Sequence, residues 1–404
     1  MIALAPATRA AIRRVALAAF VLAAFGITAS GSSRAESSLQ VAGSHEMLTP
    51  VTQSVMSIPR WYRGADGRVH MQYELMLTNT LPLSVGIASI DVRGGGRRIE
   101  TLSGDRLAAA MTPLGSGTDA ITDLPAATVG IVWVDLSFAS RRALPPRVNH
   151  RLTIDVGPGL PLGPTLTETG GRATVSRRGP VVIAPPLRGG RWAAAGGPAG
   201  PHRRALQAVN GQLRLSQRFA VDFAARLDAE GRTHVGDPDQ NASYFNYGQP
   251  VLAVGDGKVV EAVDRLPDQI PNASVPVSLA DAGGNHVILK LDRGVFAGYG
   301  HLKPGSVRVK RGQRVRTGRV LGKLGNSGQS TGPHLHLQLM NRPAFVDADG
   351  LPFVFERFRL NGVVPSLEAL IDADLQGTPV PFDASGAGER RRQGIAGLEV
   401  VEFP

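Results

Sequence analysis

Short runs in which apolar and polar residues alternate predict strands across residues 45–160. The runs are VHMQYELMLTNT (69–80), VGIASIDVRG (85–94), TVGIVWVDLSF (128–138) and HRLTIDV (150–156). Period-two alternation and β-branched residues indicate strands, and the glycine-rich stretches GADGR, GGG and PLGSG supply the turns between them. Strand number and spacing predict an antiparallel β-sandwich of immunoglobulin-like type over residues 36–175.

The same pattern returns in the second half of the chain. The strand-like segments are QRFAVDF (217–223), QPVLAVGDGKVVEAV (249–263), NHVILKL (285–291), VFAGYGHL (295–302) and TGPHLHLQL (331–339). They predict a second all-β domain over residues 202–370, with longer excursions at about 226–247 and 264–283. Residues 176–201 are dense in Pro and Gly and predict a linker, with an irregular crossing strand as the alternative. Residues 371–404, rich in Gly, Arg and acidic residues, predict a flexible tail.

The first residues have the pattern of an export signal. Arg9, Arg13 and Arg14 precede the apolar stretch 15–30, and the small residues Ser33 and Ala35 offer a cleavage point. This pattern predicts a signal peptide at 1–35 and an exported protein, periplasmic or secreted, with a retained N-terminal anchor as the alternative. Later segments lack the apolar length to cross a bilayer, so we expect no stable membrane span in the mature chain.

Composition narrows the chemistry. The 404 residues include no cysteine, which excludes disulfides, thiol nucleophiles and thiolate metal ligands, so any metal site must use His, Asp or Glu. The formal charge is +11, and removal of the four arginines in residues 1–35 leaves 11 − 4 = +7. A basic exported protein is attracted to anionic surfaces such as a bacterial cell wall. Aromatic residues are only 5%, so stacking platforms for nucleic acid are not indicated, and we expect no nucleic-acid partner.

The segment TGPHLHLQL places polar chemistry on one face of a strand. His334, His336 and Gln338 alternate with three leucines, and the two imidazoles would lie roughly 6–7 Å apart. That separation suits one metal ligand beside one catalytic group, and equally two unrelated surface histidines. A hydrolytic zinc needs about three protein ligands, an open position and a nearby base. The candidates on strand-like segments are these two histidines with Asp222 and His301.

Four segments together resemble a known family. They are GQPVLAVGDGKVV (248–260), GGNHVILK (283–290), the long block from YGHLKPG to HLHLQL (299–339) and, more weakly, RFAVDF (218–223). Residues 202–345 thereby resemble the lysostaphin/LytM-type zinc metallopeptidases, which cut peptide cross-links of bacterial peptidoglycan. The resemblance implies Zn²⁺ held by Asp222 and His336, with His334 and His301 acting as base and transition-state stabiliser. It implies an exported zinc endopeptidase whose substrate is peptidoglycan or another peptide.

One position departs from the family pattern. The upstream motif of the family is His-x-x-x-Asp, and here Arg218 stands four residues before Asp222. A guanidinium has no lone pair for a metal, and we expect it to repel a cation and to pair with Asp222. His202 is the leading candidate for the missing third ligand, with His234 a weaker one and His286 expected to be a strand residue at the rim. Alternatively, zinc binds through fewer protein ligands.

Arg218 also supports a function of another class. The domain would then be a catalytically degenerate module that binds the wall or regulates a hydrolase. A third possibility is a structural adhesion or assembly protein led by the sandwich. Retention of Asp222, His301, His334 and His336 together favours metal chemistry over both alternatives, because a degenerate site is expected to change at several positions.

Overall fold

Strands dominate the protein in the computed structural model, which describes residues 49–117, 119–157, 163–197 and 200–404. The signal peptide predicted at 1–35 lies outside the described residues. No helix in the described part of the chain is long and apolar enough to cross a membrane.

The N-terminal part alternates strands with one short helix. In chain order the elements are β1 (Val51–Val55), β2 (Arg60–Arg63), β3 (Val69–Asn79), β4 (Val85–Gly94), β5 (Arg97–Ser103), α1 (Gly104–Ala110), β6 (Met111–Pro113), β7 (Asp123–Leu124), β8 (Val129–Phe138), β9 (Arg147–Asp155) and β10 (Thr165–Thr174). The four segments predicted from alternation correspond to β3, β4, β8 and β9, and β9 begins three residues earlier than predicted. Buried residues alternate with less buried ones along β9, whereas β3 is buried along most of its length.

These strands form two antiparallel sheets that share one core. The first has the order β1-β3-β8-β6 with β2 paired to β3, and the second has the order β10-β9-β4-β5 with β7 paired to β4. Tyr73 and Leu75 of β3 and Ile90 and Val92 of β4 are fully buried in the common core. The predicted sandwich is therefore confirmed, and its immunoglobulin-like character stays a prediction.

The C-terminal part contributes the remaining strands and one helix. In chain order they are β11 (Val181–Ile183), β12 (Arg191–Ala195), β13 (Gln207–Val209), β14 (Gln212–Arg214), β15 (Val221–Leu227), β16 (Pro250–Leu252), β17 (Gly257–Val263), β18 (Asn285–Lys290), β19 (Phe296–Leu302), β20 (Arg314–Val315), β21 (Val320–Lys323), β22 (Leu335–Met340), β23 (Phe353–Val363), α2 (Leu367–Gln376), β24 (Gly388–Gln393) and β25 (Leu398–Glu402).

A sheet of eleven strands organises this half. Its order is β11-β23-β25-β12-β15-β22-β19-β18-β17-β20, with β24 paired to β23. Leu335, Leu337 and Leu339 of β22 point into a large core, so the histidines that alternate with them lie on the opposite face. The predicted all-β class is confirmed.

Two boundaries predicted from composition are corrected. The segment 176–201, predicted as a linker, contributes β11 and β12 to the long sheet. This agrees with the alternative prediction of a crossing strand. The residues predicted as a flexible tail contain most of α2 and both β24 and β25. Trp192 and Val401, paired across β12 and β25, are buried, so these strands gain stability from tertiary burial that local composition does not reveal.

The sandwich and the long sheet meet along a seam with backbone pairing. Gly64 and Gly394 form a parallel bridge, and Arg390 donates from Nε to the Ala65 carbonyl at 2.7 Å. Rings of Tyr62 and Phe219 pack edge to face at 6.0 Å. The two halves are thus joined by backbone hydrogen bonding and by packing of buried rings.

Candidate metal centre

Neighbouring strands bring Asp222 and His336 together. Asp222 on β15 is the direct cross-strand partner of His336 on β22, and Gly300 on β19 faces His336 from the other side. Directly opposed residues in an antiparallel pair extend to the same face. Accordingly, His336 Nδ1 lies 2.9 Å from Asp222 Oδ1.

His202 reaches this pair from outside the sheet. It lies in the 3₁₀ turn Pro201–Arg204, and its Nε2 is 2.8 Å from Asp222 Oδ2 and 3.2 Å from His336 Nδ1. One ligand atom from each of the three side chains lies within 4.8 Å of the others. The leading candidate for the third ligand is thus the residue that the fold places beside Asp222 and His336.

Gln338 orients the ring of His336. The Gln338 amide nitrogen donates to the Phe345 carbonyl at 3.0 Å, which leaves Oε1 as the acceptor 2.8 Å from His336 Nε2. His336 Nε2–H then donates to Gln338, so Nδ1 is the nitrogen that faces His202 and Asp222. This nitrogen donates to Asp222 when it carries a proton and offers its lone pair to a metal when it does not. Sequence reasoning placed Gln338 on the same face but assigned it no role; its i+2 spacing from His336 was the available signal.

His301 and His334 stand beside the three-residue cluster. Their rings are 4.5 Å apart, and His334 Nε2 is 3.9 Å from Asp222 Oδ1. Each Nδ1 donates to a backbone carbonyl, His301 to Ser327 at 2.8 Å and His334 to Gly332 at 2.9 Å. Each Nε2 is therefore left available to the site. His301 also adopts a left-handed backbone, φ 59°, a strained conformation that is often found at functional sites.

Burial and charge set the protonation of the cluster. Burial opposes ionisation of Asp222, but the imidazoles of His202 and His334 and hydrogen bonds from His202 and His336 outweigh it and hold its pKa well below the usual range. Burial, with the nearby rings of His334 and His336, holds the pKa of His301 well below 6.5. The carboxylate is thus ionised and His301 is neutral, the states that metal binding and proton acceptance need.

The donor set fits a zinc ion. Two imidazole nitrogens and one carboxylate oxygen converge, and zinc prefers these ligand types. The side chains of His202 and His334 remain 24% and 17% exposed, so the cluster is accessible from one side, whereas the His336 side chain is only 4% exposed. A hydrolytic site needs this combination of held ligands and one open side.

Arg218 is directed away from the cluster. Its Nη1 lies 2.7 Å from Glu74 Oε2 on the sandwich strand β3 and also donates to Ser57 Oγ. The expectation that Arg218 would pair with Asp222 is therefore wrong. Arg218 precedes β15 at the seam, and at 1% exposure its charge is neutralised by a residue from the other half of the molecule.

The two weaker candidates lie in other contacts. His234 forms a bridge with Tyr244, and its ring packs on the Tyr244 ring at 5.0 Å. His286 packs against Phe345 at 4.9 Å, with Nε2 3.7 Å from Glu261. Neither belongs to the group of converging ligand atoms found among the described residues.

Known proteins match the C-terminal half. The family model described as Peptidase family M23 matches residues 243–348. The glycyl-glycine endopeptidase ALE-1 of Staphylococcus capitis is 38% identical over 98 residues, 24% of this chain and 23% of that protein. The peptidoglycan DD-endopeptidase ShyA of Vibrio cholerae is 36% identical over 143 residues, 33% of this chain and 29% of that protein. The chain thus spans less than a third of the length of these relatives.

The solved catalytic domain of lysostaphin from Staphylococcus simulans is also similar, with 24% identity, a TM-score of 0.23, and coverage of 39% of this chain and 88% of that one. Because the family model matches residues 243–348, the C-terminal half carries an M23 peptidase domain, and the lysostaphin/LytM-type resemblance is confirmed. The matched family segment contains His301, His334 and His336, whereas Asp222 and His202 precede it.

Proposed function

We propose that the protein is an exported zinc-dependent endopeptidase that hydrolyses peptide bonds in peptidoglycan cross-links. The observation that carries this proposal is the convergence of His202, Asp222 and His336 within 4.8 Å, with two further imidazoles beside them. The M23 family match at residues 243–348 contains His301, His334 and His336 and supports a hydrolytic role for these three residues.

His202, Asp222 and His336 would hold the metal. When bound, Zn²⁺ supplies a Lewis acid that polarises a carbonyl and lowers the pKa of water. Gln338 keeps the Nδ1 lone pair of His336 turned toward the metal position by accepting the Nε2 proton. Asp222 contributes a negative charge that offsets part of the cation's charge within a buried site.

The two remaining histidines divide the proton chemistry. His301 is buried and neutral, with Nδ1–H held by Ser327, so its Nε2 can accept a proton from the attacking water. His334 is more exposed, and its Nε2 lies 3.9 Å from the Asp222 carboxylate, on the open side of the cluster. A protonated Nε2 can donate to the oxyanion that develops on the scissile carbonyl.

Charge and relatives support the substrate class. The names of the two relatives describe a glycyl-glycine endopeptidase and a peptidoglycan DD-endopeptidase. A charge of +7 outside residues 1–35 suits an enzyme that works at an anionic wall, in the periplasm or outside the cell. The degenerate wall-binding alternative depended on Arg218 closing the site, and we do not favour it because Arg218 is bonded to Glu74.

The test combines metal content with product analysis. We expect about one zinc per chain in the purified mature protein, and release of cleaved cross-link peptides from peptidoglycan by mass spectrometry. His336→Ala and His202→Ala should each bind zinc much more weakly and lower cleavage by about a thousandfold. His286→Ala, the same change outside the cluster, should keep the zinc.

Either of two results would contradict the proposal. Full zinc loading of His202→Ala would remove His202 from the ligand set. Absence of cleavage by zinc-loaded wild type, on peptidoglycans with several cross-bridge chemistries, would return the wall-binding alternative to first place.

A further inference from the structure

The turn that carries His202 is anchored on the sandwich. Arg203, the next residue, is 4% exposed and donates from Nη1 to Glu74 Oε1 at 2.7 Å. Its Nη2 reaches the Tyr73 and Val134 carbonyls, each at 3.3 Å, and its guanidinium lies 5.3 Å from the Trp133 ring. His202 is thus held by the neighbour that follows it, and that neighbour is bonded to the other half of the molecule.

Arg204 strengthens the same attachment. Its guanidinium donates to the Ala109 carbonyl and lies 6.0 Å from the Trp133 ring. The turn itself has only four residues and belongs to no sheet. Its position therefore depends on side-chain contacts rather than on a strand ladder.

Glu74 contacts both Arg203, which follows His202, and Arg218, which precedes Asp222. One carboxylate oxygen receives Arg203, and the other receives Arg218 and the Ser57 hydroxyl. The Glu74 side chain is fully buried, and despite the burial that opposes it, the two guanidiniums hold its pKa below the usual range. One carboxylate thus connects the residue after His202 to the residue four before Asp222.

We propose that Glu74 of the sandwich is a positioning residue for the metal centre. Through Arg203 and Arg218 it sets the distance between His202 and the two ligands on the sheet. This inference rests on the proposed ligand set, and it makes the sandwich part of the metal-binding unit rather than a separable targeting module. Arg218, which stands at the position of the family's histidine, and the turn that carries His202 are then linked by a single buried carboxylate.

Loss of the Glu74 charge has a definite physical consequence. A buried guanidinium without its counter-charge is strongly destabilised, so two arginines that share one carboxylate must separate or hydrate when it is neutralised. Arg203 belongs to the same four-residue turn as His202, so the loss of its contact with Glu74 removes an anchor of that turn. The effect should therefore appear first as weaker metal binding.

The experiment measures zinc affinity by competition with a chelating dye, in the full mature chain. Glu74→Gln should lower affinity at least tenfold. The matched control is Glu168→Gln, because Glu168 is also a buried sandwich carboxylate but bonds Gln53 and has no arginine partner in the described part of the chain. The zinc affinity of the control should stay within about twofold of wild type. Arg203→Lys should also weaken zinc binding, because a lysine cannot contact Glu74 and the two backbone carbonyls at once.

A double-mutant cycle separates positioning from a general structural effect. If Glu74 acts through His202, Glu74→Gln should change zinc affinity little in a His202→Ala background. An equal loss in both backgrounds, or no loss in wild type, would overturn the inference. If Glu74→Gln fails to fold, the Arg203→Lys cycle decides by the same two criteria.

The same cycle distinguishes this inference from the proposed function. Unchanged affinity in His202→Ala alone would mean that the ligand set is wrong. Weaker affinity in His202→Ala, with unchanged affinity in the Glu74 and Arg203 variants, would leave the ligand set intact and refute only the positioning role.

Discussion

Two buried polar clusters lie side by side in this protein, and they differ in how their polar atoms are paired. In the cluster of Glu74, Arg203 and Arg218, opposite charges meet, and each residue is no more than 4% exposed. In the cluster of His202, Asp222 and His336, donor atoms converge on one point and one member remains 24% exposed. In the first cluster the charges neutralise one another, whereas the donor atoms of the second are arranged to bind a partner.

The difference explains how the family motif can change without loss of the site. Arginine at position 218 would oppose a cation if it faced Asp222, but its guanidinium is paired with Glu74 in the other cluster. Histidine at position 202 supplies nitrogen to the other cluster. On the proposed ligand set, the ligating residue His202 precedes β13 and β14, and the charge-paired residue Arg218 follows them.

The largest expected effect follows from replacing the paired charge at position 218 with a potential metal ligand. Arg218→His places the family residue at the family position, but it removes a charged hydrogen bond to a buried carboxylate. We expect a loss of about 2 kcal/mol in the free energy of unfolding, measured by urea titration, and no gain in zinc affinity.

Arg106→His serves as the matched control, because Arg106 pairs with Glu100 at the surface, with its side chain 67% exposed. It should lose far less stability. Tighter zinc binding by Arg218→His would contradict the division between the two clusters.

An intermediate effect is expected from the residue that orients His336. Gln338→Leu removes the acceptor for His336 Nε2–H while keeping similar volume, so the ring loses its fixed tautomer. Zinc affinity should fall about tenfold without loss of zinc at saturating metal. Unchanged affinity, measured by the same dye competition, would show that Gln338 does not orient the ligand.

The smallest effect concerns His150, a histidine buried inside the sandwich. His150 is fully buried, Tyr73 lies 2.8 Å from its Nε2, and burial lowers its pKa from 6.5 to about 4. Between these values the unfolded chain binds more protons than the folded one, so stability falls as pH falls. We expect this group to contribute a loss of about 1 kcal/mol between pH 7 and pH 5.5.

His150→Gln should flatten that part of the stability profile, whatever its effect on stability at pH 7. Urea titrations of both proteins at the two pH values provide the measurement. An unchanged slope would mean that His150 is not the group that responds.

Much of the fold was predictable because strand signals are local. Alternation located β3, β4, β8 and β18 to within about one residue of their observed bounds. The segments β24 and β25 were missed for different reasons. β24 is a largely exposed strand of charged residues, whereas β25 is an interior strand whose burial comes from β12 and β23.

The sequence by itself determined the strand pattern, the absence of cysteine chemistry and, through the family motifs, Asp222, His301, His334 and His336 as site candidates. Only the tertiary structure decided that His202 meets His336 across 134 positions and that Arg218 meets Glu74 across 144. Periodicity and motif spacing act over a few residues, whereas these contacts depend on how the sheet and the sandwich pack together. The partner of a buried charge is set by the tertiary packing, so the residues next to that charge in the sequence do not predict it.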